Sequence, residues 1–110
     1  MDIIVGDRSL PATDQGFLLH WQDWDGDVAL RLAEIDNIIL TEQHWEIIRF
    51  FRNYYSQYKH LPNTRVFIKA VALTLGEDKG NSRYLHQLFP EGPLKYSAKL
   101  AGLPKPPTCL

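Results

Sequence analysis

The sequence predicts a mainly α fold, with five helices in one small domain, a short β-hairpin in front and an extended C-terminal arm behind. Three observations carry that expectation. Apolar residues recur at helical spacing from Val28 onwards. The β-branched run Ile3-Ile4-Val5 is followed by the turn-forming pair Gly6-Asp7. Near the end, Pro104, Pro106 and Pro107 each lack an N–H donor and fix φ, so no helix continues there.

Residues 2–12 read as the hairpin, with Arg8 to Ala12 as the return strand. Two short strands are marginal alone, so the hairpin must pack on something else. Thr13 to Gly16 form a loop, followed by the apolar and aromatic stretch Phe17-Leu18-Leu19-His20-Trp21. Val28, Leu32 and Ile35 mark the inner face of a first helix, capped by Asp23 or Asp25. Thr41 caps the second helix, with Leu40 and Trp45 at the two positions of a hydrophobic staple. Trp45, Ile48, Phe51 (or Arg52), Tyr55 and Tyr58 then trace one face, and Pro62 ends the segment. A third helix covers about Asn63 to Leu75, with Val66, Ala70 and Leu73 inward and Gly76 as its stop. Asn81 or Ser82 caps a short fourth helix that Pro90 closes. Pro93 suits the first position of a fifth helix, with Leu94, Ala98 and Ala101 inward and Gly102 as its end. Residues 1–101 are thus the helical domain and 102–110 the arm.

Composition narrows the function. At 110 residues the chain is long enough to bury a core without staples. No apolar run approaches the roughly 20 residues of a membrane span, and the first residues lack a secretory pattern. The cytosol is the expected compartment. Net charge is -1, but residues 1–40 hold eight acids against Arg8 and Arg31, while residues 41–110 hold ten Lys and Arg against five acids. Such a dipolar chain can offer a basic face to an anionic partner, or simply two solvated faces. Arg65, Lys69, Lys79 and Arg83 are the candidates for that face.

The only cysteine, Cys109, stands next to last, behind the prolines. An extended, polyproline-like segment gives a reach of roughly 20 Å from Gly102 to Cys109. A stiff arm loses less entropy on entering a partner's pocket than a Gly/Ser tail would. Thiol chemistry runs through the thiolate. Lys95, Lys99 and Lys105 favour it, and no acidic side chain follows Glu91, but the α-carboxylate one residue beyond Cys109 opposes it. On the residues alone, a functional thiol and an exposed cysteine in a frayed tail both stand.

The string Leu100-Ala101-Gly102-Leu103-Pro104-Lys105-Pro106 with a penultimate cysteine resembles the C-terminal arm of the TusE/DsrC family of sulfur-carrier proteins. Leu40 to Glu46, Lys79 to Leu85, and Leu88 to Pro93 match further blocks in the same order. The resemblance implies a small orthogonal helical domain with an N-terminal β-hairpin and a mobile C-terminal arm, the DsrC-like fold. It implies that Cys109 takes a sulfur atom as a persulfide and hands it on. Family members acting with sulfite reductases carry a second cysteine eleven positions upstream; here that position is Ala98. The pattern is therefore similar to the TusE-type, single-cysteine branch, which relays sulfur for 2-thiouridine at the tRNA wobble position. That branch implies a TusBCD-type donor complex and an MnmA-type tRNA thiolase with its tRNA as acceptor. Arg65, Lys69, Arg83 and Lys105 are the candidate partner-binding residues, and no cofactor is expected.

A helix-turn-helix is the rival reading. Helices near 63–75 and 81–89 have suitable spacing, and Arg83, His86 and Gln87 would face the bases. The chain is not basic overall, so direct DNA binding is not the expectation. Gly76 to Ser82 misses the P-loop spacing. His20, His44, His60 and His86 form no close ligand pair, so no metal site is expected. Trp21 and Trp24 lie between periodic segments and either anchor the hairpin or line a contact surface.

Overall fold

The computed structural model describes residues 1–107; Thr108, Cys109 and Leu110 lie outside the described residues. Strands β1 (Asp2–Val5) and β2 (Arg8–Pro11) pair antiparallel, with Ile3 opposite Leu10 and Val5 opposite Arg8. Gly6 takes φ 62 in the connecting turn. Alternation sends Ile3, Val5 and Leu10 into the core, which answers the stability problem of a two-stranded sheet. An isolated bridge between Ala12 and Leu18 extends the hairpin and buries Phe17 and Leu18.

Five helices follow: α1 (Gly26–Ile35), α2 (Glu42–Tyr58), α3 (Thr64–Leu75), α4 (Ser82–Leu88) and α5 (Pro93–Leu100). Their starts follow local chemistry. The side chains of Asp25, Thr41, Asn63 and Asn81 each accept a hydrogen bond from a first-turn amide, so four of the five helices open on a side-chain cap. The Arg8 guanidinium, and then the Val28 amide, hold the Asp25 carboxyl below its ordinary pKa. At α2 the box is closed by His44: its ring nitrogen accepts from the Thr41 amide at 3.1 Å, while its other nitrogen lies 2.8 Å from the Leu88 carbonyl. This histidine ties α2 to α4.

The helix faces differ in part from the periodicity. In α1, Val28 and Leu32 are buried as expected, but Ile35 is exposed and Ala29 and Ala33 complete the face. The face of α2 widens to Ile47, Ile48, Phe50 and Phe51, and Tyr58 is exposed. The helix also stops at Lys59, in left-handed conformation at φ 58, before Pro62 is reached. In α3 two of the three expected inward positions are overturned, while Ala70 is half-buried against the core. Val66 and Leu73 are exposed, Leu73 by 81%, whereas Phe67 and Val71 are fully buried. The cause is that α3 is apolar on several sides, so period alone does not select the inward one. Phe67 stacks on Phe51 with ring centroids 4.9 Å apart, and that large side chain sets the rotation. Gly80 then lies so close to α3 that a Cβ there would sit 2.2 Å from the Ala72 Cα.

α5 is the central helix. Leu94, Ser97, Ala98 and Leu100 are fully buried, and the helix packs against α1, α2 and α4. No helix among the described residues is long and apolar enough to cross a membrane.

Candidate functional site

The described part of the site is the base of the C-terminal arm, where α5 ends. Gly102 takes φ 71, its amide donates to the Lys99 carbonyl at 3.0 Å, and the Leu103 amide donates to the Ala98 carbonyl at 3.0 Å. These two bonds form a Schellman motif, which needs the left-handed residue that glycine supplies. A Cβ at Gly102 would also meet the Trp24 side chain at 2.5 Å. Leu103 is fully buried, Pro104 and Lys105 are exposed, Pro106 is buried and Pro107 is exposed. The chain therefore stays against the domain at Leu103 and again at Pro106, within the segment that the sequence alone assigns to the arm.

Two side chains from distant elements close over this turn. The indole Nε1 of Trp24 donates to the Leu100 carbonyl at 2.8 Å. Arg52, from the third turn of α2, donates to the Ala101 carbonyl at 3.1 Å and to the Trp21 carbonyl at 2.8 Å. Its guanidinium also lies 4.5 Å from the Trp24 ring centroid and 5.0 Å from that of Trp21. Burial pushes Arg52 below its ordinary pKa, though a guanidinium stays charged at neutral pH. A cation at a helix C-terminus is favourable, because the last carbonyls carry the negative end of the helix dipole. The two tryptophans thus join Arg52 in a clasp over the end of α5.

Lys99 changes role. The sequence counts it among the cations favouring a thiolate. Here its side chain is largely buried, and Nζ lies 3.0 Å from Oδ1 and 2.9 Å from Oδ2 of Asp36. Its charge is neutralised locally, so only Lys95 and Lys105 remain as unpaired cations of that group among the described residues. Lys79 is likewise occupied, 2.7 Å from Glu46, which raises its pKa.

Arg65 and Lys69 lie one turn apart on an exposed side of α3, Arg83 is exposed in the first turn of α4, and Lys105 is exposed beyond the clasp. The four belong to three elements, and none forms an ion pair among the described residues. For the helix-turn-helix reading, α3 and α4 are separated by six residues, 76–81, against the three or four of a DNA-binding turn. A groove of about 500 Å³ between α2 and α3 is lined by Phe50, Tyr54, Tyr58 and Leu73, so the aromatic stripe of α2 is part core and part surface. Cys109, the principal candidate, lies outside the described residues.

The clasp residues were missed by reading the sequence for function. The available signal was weak: Arg52 stands where the α2 stripe is ambiguous, and two tryptophans sit in a non-periodic stretch.

Comparison with known proteins adds the context. The family described as "DsrC like protein" matches residues 4–110. A Haemophilus influenzae protein named sulfurtransferase TusE homolog is 55% identical over 95 residues, covering 86% of this chain and 87% of that one. Sulfurtransferase TusE of Photorhabdus laumondii is 51% identical over 108 residues, covering 98% and 97%. Among solved structures, Allochromatium vinosum DsrC superposes with a TM-score of 0.90 at 46% identity, covering 100% of each chain. The oxidised γ-subunit of dissimilatory sulfite reductase (DsrC) from Archaeoglobus fulgidus gives 0.86 at 37% identity, again covering 100% of each. Five helices behind a two-stranded hairpin are thus a shared fold, and the names of the relatives support a role in sulfur relay. This chain belongs to the DsrC-like family.

Proposed function

We propose that this protein is a cytoplasmic sulfur-relay component that accepts persulfide sulfur on Cys109 and passes it on for 2-thiouridine synthesis at the tRNA wobble position. The observation that carries the reading is the placement of the only cysteine just behind Pro104, Pro106 and Pro107, within the residues 4–110 that the family match covers. Near-complete coverage of relatives named sulfurtransferase supports it.

The chemistry is a sulfane-sulfur exchange. The Cys109 thiolate attacks the outer sulfur of a donor persulfide; the donor S–S bond breaks, the donor thiolate leaves, and Cys109 becomes a persulfide that retains the proton. An acceptor thiolate repeats the step on the outer sulfur and regenerates Cys109 as thiolate. Neither exchange needs an external oxidant or reductant. The donor of this reading is a TusBCD-like complex, and the acceptor is an MnmA-like thiolase with tRNA. Arg65, Lys69, Arg83 and Lys105 are proposed as partner contacts, since all four are exposed without an ion-pair partner among the described residues.

The sulfite-reductase association named for the Archaeoglobus relative would here have to run without two-cysteine chemistry. The position eleven residues before Cys109 is Ala98, which is fully buried in α5. With a single thiol no intramolecular bridge forms.

Intact mass after incubation with a cysteine desulfurase, cysteine and a TusBCD-type complex tests the proposal. The expected result is a gain of one sulfur atom that Cys109→Ser abolishes. No gain, with the same donor competent toward another acceptor, would refute it.

A further inference from the structure

An α-helix leaves its last four carbonyls without intrahelical partners. At α5 every one is satisfied, and the donors divide into two kinds. Ala98 and Lys99 receive the Leu103 and Gly102 amides of the local turn. Leu100 and Ala101 receive Trp24 and Arg52, which stand 76 and 49 residues away in sequence. The local turn alone closes the helix. The distant donors fix the orientation of the last two peptide planes before Gly102, the point at which the chain departs.

That orientation has consequences further along. Gly102 is held at φ 71 by the turn and pressed by the Trp24 ring, Leu103 is buried, and Pro104, Pro106 and Pro107 each fix their own φ. A direction set at residues 100–102 is therefore carried forward with few soft torsions to absorb it. A tilt of about 15° at the base moves the end of a roughly 15 Å extended segment, the span of residues 102–107, by about 4 Å. Sulfur exchange needs its reacting atoms at roughly 3–3.5 Å, where a misplacement of about 1 Å can cost on the order of a hundredfold in rate.

We infer that Trp24 and Arg52 are positioning residues that aim the C-terminal arm, and that this aim sets how fast a protein-borne persulfide reaches Cys109. The inference rests on the sulfur-relay reading for its kinetic consequence and on the clasp geometry for its structural one, so the test has an arm for each. Trp24→Phe keeps an aromatic ring but removes the indole donor and part of the ring surface that faces Arg52. Arg52→Met keeps an apolar stem and removes charge and donors together. Both are compared with the unaltered full-length chain after circular dichroism establishes that they fold; if Arg52→Met does not, Trp24→Phe decides.

With the persulfide-charged donor complex of the preceding test, each folded variant is expected to load at least about tenfold more slowly. Loading from glutathione persulfide and alkylation by iodoacetamide, which approach from any direction, should stay within about twofold of the parent rate. Wild-type loading from the protein donor overturns the inference. So does an equal fall in all three rates, because the thiol itself would then be altered and not its aim.

The second arm needs no sulfur. Cys109 is the only attachment point for a nitroxide, and paramagnetic broadening of backbone amides maps where the label dwells. The broadening should spread over more of the domain surface in each variant; an unchanged map overturns the inference. A parent chain that accepts no sulfur would defeat the relay reading, while the nitroxide maps would still decide the clasp.

Discussion

The C-terminal ends of α1 and α5 are built from the same backbone motif and put to different use. At α1, Asn37 takes φ 59, its amide donates to Glu34, and the Ile38 amide donates to Ala33 at 2.8 Å. At α5, Gly102 takes φ 71 and the same two bonds recur one for one. Asn37 is exposed, and the Ile35 and Asp36 carbonyls receive no side-chain donor among the described residues. At α5 the corresponding carbonyls are gripped by Trp24 and Arg52. One end simply stops a helix at the surface; the other stops a helix and holds the departing chain. The two are also joined, since Asp36, the last residue of the α1 turn, pairs with Lys99 in the last turn of α5. That pair places a cation near the negative ends of both helix dipoles.

Both helix ends are most vulnerable at this shared ion pair. Asp36→Ala leaves Lys99 largely buried without its counter-charge and is expected to lower the unfolding free energy by about 3–5 kcal/mol in a urea titration. Asp36→Leu combined with Lys99→Met should recover most of the loss; failure to recover would mean that the pair is needed for specific packing.

Next in size comes Gly102→Ala. It meets two penalties at once, a left-handed φ and a Cβ pressed on Trp24, and should cost about 2–4 kcal/mol by the same titration. A loss below about 1 kcal/mol would show that Trp24 yields and that the clasp is soft.

The smallest effect sharpens the contrast. Asn37→Ala meets the left-handed penalty with no neighbour in the way, so about 1 kcal/mol is expected, and Asn37→Gly should be neutral or slightly stabilising. If the alanine variants at 37 and 102 cost the same, the two ends hold the departing chain alike.

The relation between α3 and α5 shows what could be read in advance. Both carry enough apolar residues for a buried stripe. In α5 the proline at the first position and the glycine at the end fix its bounds, and Leu94, Ala98 and Ala101 do lie inward, although Ser97, Lys99 and Leu100 are buried with them. In α3 apolar residues at 66, 67, 68, 70, 71, 72 and 73 leave several faces open. Which one turned inward depended on the Phe51 ring that Phe67 meets, a partner sixteen residues away.

The sequence by itself determined the elements, their order and most of their caps, because turn chemistry, helix capping and proline act over three or four neighbouring residues. It also determined the single thiol, and with it the absence of any internal two-cysteine exchange. Only the tertiary structure decided the rotation of α3, the capture of Lys99 by Asp36, and the closing of Trp24 and Arg52 over the end of α5. Each joins residues between 16 and 76 positions apart. Such contacts form where packed elements meet, and no local periodicity records where that will be.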